Sequence, residues 1–110
     1  MQRLFIYGTL APDRANHGIL KDIPGSWESA TLRGTLLQEG WGADMGYPGI
    51  VPTEEGDEVE GFLFSSEYLA DHWSKLDEFE GEGYERVPVT VRVNRTKHIA
   101  AFVYALKRDT

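Results

Sequence analysis

Hydrophobic positions along this chain follow two rhythms. Arg3-Leu4-Phe5-Ile6-Tyr7 is a short apolar run closed by Gly8, the pattern of a buried strand. Stretches 29–38, 59–65, 86–93 and 98–106 read as further strands, with Gly34 marking a bulge or a close approach in the first of them. Residues 94–97, Asn-Arg-Thr-Lys, form the hairpin turn between the last two. The period changes at residues 67–80. There Leu69, Trp73, Leu76 and Glu80 recur at spacings of 4, 3 and 4, one face of a helix. Ser66 can cap this helix at its start and Gly81 at its end. A shorter helix is expected over 16–21, with Asn16 as N-cap, Ile19 and Leu20 inward, and Pro24-Gly25 as the stop. Residues 40–49, Gly-Trp-Gly-Ala-Asp-Met-Gly-Tyr-Pro-Gly, carry too many breakers for regular structure and read as a surface loop. Within it, Trp41 and Tyr47 either form a lid or pin the loop to the body.

Composition narrows the function classes. A chain of 110 residues is expected to form one domain, residues 1–110, with a modest core. With no Cys, disulfides, thiolate catalysis and Cys-ligated metals drop out. The net charge of −7 disfavours nucleic acid and anionic membrane surfaces. The apolar runs are too short to cross a membrane and the N-terminus does not read as a signal peptide, so a cytoplasmic location is expected. The acidic run 54–58 reads as a solvated turn between strands. His17, His72 and His98 show no metal-ligand spacing. The acids near residue 80 lack the spacing of a calcium loop, so no metal is expected.

Two segments carry candidate chemistry. Leu76-Asp77-Glu78-Phe79-Glu80-Gly81 places acids at the carbonyl end of a helix, where the dipole disfavours them. Glu80 also falls on the apolar stripe. By position alone it is either an exposed acid at a fraying helix end or a poorly solvated general base. Tyr7-Gly8-Thr9-Leu10 ends a strand in Gly-Thr, either an ordinary turn or a nest of backbone N–H groups that binds an anion. Tyr7 and Tyr104 are expected to pack in the core with satisfied hydroxyls. Arg86 is expected to pair with the acidic cluster.

Taken in order, these segments resemble the γ-glutamylcyclotransferase-like family, and within it the γ-glutamylamine branch. Tyr7-Gly8-Thr9-Leu10 resembles its first-strand motif, and Asn16-His17-x-x-Leu20 the segment that follows. Tyr47-Pro48-Gly49 resembles its mid-chain loop, and Val59-Glu60-Gly61 its V-x-G strand start. Leu76 to Gly81, followed by Tyr84-Glu85-Arg86, resembles its L-D-x-x-E segment. One departure is the short spacer 81–83 between Glu80 and Tyr84.

The resemblance implies a mixed α+β fold: a small, partly closed, barrel-like sheet with two or three short helices. It implies that residues 7–10 cradle a substrate carboxylate and that Glu80 is the general acid/base. The implied reaction closes the γ-glutamyl group of a small amine or peptide to 5-oxoproline, without cofactor. The expected partner is a small γ-glutamyl substrate, on a monomer or weak homodimer. The competing expectation is a non-catalytic module of the same fold that binds a small carboxylated amine.

Overall fold

The structure, a computed structural model, describes residues 2–7, 20, 23–37, 49–80, 84–94 and 96–106, with the backbone alone of residues 37, 79 and 80. Its strands are β1 (Gln2–Ile6), β2 (Ser26–Leu37), β3 (Gly49–Pro52), β4 (Asp57–Ser66), β5 (Tyr84–Val93) and β6 (Lys97–Leu106). A 3₁₀ turn (Leu69–Asp71) precedes the helix α1 (Trp73–Glu80).

β1 pairs with β4, β4 with β2, β2 with β5, β5 with β6, and β6 with β1. Five strands thus close into a barrel, and β3 is the extra one. The β2–β5 closure rests on the single pair Thr31↔Arg92. Closure removes the exposed sheet edges that a small open sheet would leave.

Side-chain alternation divides the core in two. Phe5, Leu32, Val59, Leu63, Val91 and Val103 fill the barrel interior. Leu4, Ile6, Phe64 and Tyr104 point the other way, into a second cluster with Leu20, Ile23, Leu69 and Leu76. This double burial explains the unbroken apolar run at the N-terminus: β1 has no solvent face. Each fully buried Leu or Phe contributes about 1.5–3 kcal/mol. Gly61 sits where a β-carbon would meet the Ile6 carbonyl and the Phe5 ring, so β1 lies hard against β4 at that point.

Several expectations need correction. The helix expected over 67–80 is in two pieces. Ser66 does accept the Tyr68 N–H at 3.0 Å, but its hydroxyl also donates to the Pro24 carbonyl. A tight turn and the 3₁₀ segment follow, and the α-helix starts only at Trp73. Tertiary anchoring of Leu69, which is fully buried, outweighs a continuous helix here. Gly49 is not the end of a loop; it opens β3, a strand too short and too breaker-flanked for its periodicity to show. Asp57 and Glu58 are not turn residues but start β4; the turn is 53–56, closed by the Gly56 N–H on the Thr53 carbonyl. The 94–97 hairpin turn is present, with Asn94 at φ 56°, a left-handed position that Asn tolerates. Gly34 is a close approach to β3, facing the Val51 carbonyl. The helix expected over 16–21 lies outside the described residues except Leu20, which is buried as expected.

Candidate functional site

β5 runs along one edge of β6 for its full length, from Tyr84↔Leu106 to Val93↔Lys97. The other edge of β6 therefore serves two strands in turn. β1 pairs there opposite Phe102 and Val103, and β3 opposite Ala105. Tyr7 stands at the handover, one residue past the end of β1. Its hydroxyl accepts the Ile50 N–H at 3.0 Å and donates to the Tyr104 carbonyl at 2.7 Å. Backbone groups at a seam between two strands otherwise lack a ladder partner. The Tyr7 ring stacks on Phe5 at 6.3 Å, which keeps it on the barrel side of the seam. Tyr7 thus pins the point from which residues 8–10 depart.

Tyr104 works on both faces of β6. Its carbonyl receives Tyr7, and its buried ring points outward beneath α1. There its hydroxyl donates to Asp77 Oδ1 at 2.6 Å. Arg86 of β5 approaches the same carboxylate oxygen, with Nη1 at 3.6 Å. The Arg86 guanidinium lies 4.3 Å over the Trp73 ring and 5.6 Å from the Phe102 ring, which themselves meet edge to face. Arg86 Nη1 is buried and completes no hydrogen bond among the described residues, where stacking and charge hold the group. Leu76, adjacent to Asp77, is buried in the same outer cluster. α1 is therefore fastened by an apolar contact and a polar one on successive residues. Its backbone ends at Glu80, one helical turn beyond Asp77.

Among the predicted site residues, Tyr7 is placed as described. Gly8, Thr9 and Leu10 lie outside the described residues, as does the Glu80 side chain. The described residues that flank these segments are placed as follows. β1 is parallel to β6 and ends beside Tyr104; β5 starts at Tyr84 opposite Leu106; β3 starts at Gly49, whose α-carbon abuts the Leu106 side chain. Tyr7, Gly49 and Tyr84, far apart in sequence, thus lie around the C-terminal end of β6.

Sequence reasoning missed the parts played by Asp77 and Tyr104. Asp77 was one acid in a crowd, and Tyr104 a core aromatic. The signal for the first is its spacing of three from Glu80; nothing in the sequence alone pairs it with Tyr104. The Arg86 ion pair with the acidic cluster is present as expected. Two open grooves lie elsewhere, on the outer face of β2, β4 and β5, around Arg33, Glu58 and Arg92, with volumes of about 780 and 1040 Å³. Among the described residues no cluster of three His, Asp or Glu could hold a metal ion, and no helix is long and apolar enough to cross a membrane.

A closed small barrel with a flanking helix defines a fold class that known proteins share. The sequence matches the family described as "Gamma-glutamyl cyclotransferase, AIG2-like" over residues 4–110, and the chain belongs to that family. It is 28% identical over 114 residues to the gamma-L-glutamyl-butirosin B gamma-glutamyl cyclotransferase of Niallia circulans, covering 99% of this chain and 69% of that protein. It is 31% identical over 108 residues to the putative gamma-glutamylcyclotransferase YkqA of Bacillus subtilis, covering 96% of this chain and 35% of that one. The crystal structure of YkqA superposes with a TM-score of 0.72 at 27% identity, again over 96% of this chain and 35% of that one. A mouse AIG2-like protein shares the fold with a TM-score of 0.74 at 22% identity, over all of this chain and 80% of that one.

Proposed function

We propose that this protein is a γ-glutamylcyclotransferase that releases a small amine from its γ-glutamyl amide as 5-oxoproline forms. The observation that carries the reading is the convergence on β6: Tyr7 and the helix ending at Glu80 are both tied to Tyr104. Family membership supports the reaction class. The substrate name of the Niallia circulans relative supports a γ-glutamyl amide of a small metabolite.

In this reading, amides of residues 8–10 hold the substrate α-carboxylate, and Glu80 moves protons. The α-ammonium is no nucleophile until it loses a proton to Glu80. The freed amine attacks the γ-carbonyl carbon, forming the lactam C–N bond. The tetrahedral intermediate collapses with rupture of the original amide C–N bond. The α-nitrogen gives up two protons in all, and the leaving nitrogen gains two and departs as an ammonium. No water is consumed, and the nucleophile is the substrate's own. Holding the substrate in its cyclising conformer contributes at most about 7–11 kcal/mol.

The test is 5-oxoproline release from a panel of γ-glutamyl amines and dipeptides, with Glu80→Gln alongside. Turnover of at least one substrate is expected, with a loss of about a hundredfold or more in Glu80→Gln. Binding without release in the wild type would favour the non-catalytic module, and an active Glu80→Gln would sink the proposed role of Glu80.

A further inference from the structure

We infer that the Tyr104 hydroxyl and Asp77 form a positioning brace, which sets the last turn of α1, ending at Glu80, relative to Tyr7 at the end of β1. The inference rests on the cyclotransferase reading and adds two positioning residues to it. Neither is proposed to touch substrate.

Four observations carry it. First, the Tyr104–Asp77 hydrogen bond is short, 2.6 Å, with a buried donor ring and a carboxylate acceptor, the stronger kind of hydrogen bond. Second, Asp77 sits three residues before Glu80 on one short helix, so a shift of Asp77 is passed on to Glu80. Third, the same residue, Tyr104, receives the Tyr7 hydroxyl on its carbonyl. Tyr7 and α1 therefore share one reference point on β6 rather than being fixed separately. Fourth, α1 is only 8 residues long, too short to be stable by itself, so its orientation comes from its tertiary contacts. Leu76 supplies burial, which is not directional; the hydroxyl–carboxylate bond supplies direction. Arg86, stacked on Trp73 and Phe102, adds its charge at the same carboxylate oxygen.

Tyr104→Phe removes the hydroxyl and keeps the ring; Asp77→Asn keeps an oxygen acceptor and removes the charge. In the 5-oxoproline assay, Tyr104→Phe is expected to lose about tenfold in kcat with KM within about twofold, because a misplaced proton carrier slows chemistry more than binding. Asp77→Asn, with the Tyr104 hydroxyl still present to donate, is expected to lose much less. Amide hydrogen exchange over residues 77–80 is expected to speed up about tenfold in Tyr104→Phe, while the β5–β6 ladder keeps its protection. Wild-type kcat in Tyr104→Phe, or an equal loss of protection across the whole barrel, overturns the brace. The exchange measurement stands apart from catalysis. No turnover in the wild type would overturn the cyclotransferase reading, and unchanged exchange at 77–80 would overturn the brace in either case.

Discussion

Asp77 and Glu58 are each approached by arginine on the outer wall of the barrel, and the two carboxylates are about equally exposed, at 47% and 44%; they differ in the groups that meet them. Around Glu58, Arg92 Nη1 lies 2.9 Å away and Arg33 Nη2 at 3.9 Å, with side-chain exposures of 44%, 39% and 56% for Glu58, Arg92 and Arg33. Around Asp77, the arginine distance is longer, 3.6 Å, and the carboxylate itself is half-exposed, but Arg86 is only 27% exposed and lies over two aromatic rings. The shorter ion pair is the weaker structural element. Exposed charges exchange one polar environment for another and contribute about 0–1 kcal/mol. The Asp77 group gains from a buried hydroxyl donor, from cation–π stacking and from the apolar seat of Leu76 beside it. Distance alone would rank the two clusters the wrong way round; what surrounds each pair decides.

That comparison can be broken, most severely, at Leu76. Leu76→Ala is expected to cost about 3 kcal/mol, since the side chain is fully buried under α1. Chemical denaturation measures it; a loss below about 1 kcal/mol would mean that α1 is not seated as described. Arg86→Ala is expected to cost about 1–2 kcal/mol through lost packing on Trp73 and Phe102. Arg86→Met should recover most of this, because a flexible thioether still covers the rings and no charge needs pairing. Equal Tm values for the two variants would show that charge, not packing, is what Arg86 contributes. The smallest effect is at the other cluster. Glu58→Ala is expected to cost less than about 1 kcal/mol, and the difference should vanish near 1 M salt, where screening acts within about 3 Å. A larger, salt-insensitive loss would put the two clusters on the same footing.

The strands were legible where alternation or an apolar run was long enough, and β4, β5 and β6 were visible to within two residues. β3 was not, because four residues flanked by Gly and Pro carry too little periodicity. The start of the helix was misjudged because its apolar spacing continues through a 3₁₀ turn that only packing reveals. Of the candidate site, the segments were legible and their meeting was not. Tyr7 packs on the core with its hydroxyl satisfied, as expected, but that its hydrogen bonds close a seam between β1 and β3 was not legible.

Local physics reaches a few residues along the chain. It sets the two-sided burial of β1, the left-handed turn at Asn94 and the helix that ends at Glu80. Barrel closure rests on pairs such as Thr31↔Arg92, and the seam on a bond between residues 97 apart in sequence. No window of neighbouring residues encodes such partners, because register is chosen by which faces are buried once all the strands are in place. The end of β6, where Tyr7, Tyr104 and Asp77 join, is a product of that choice.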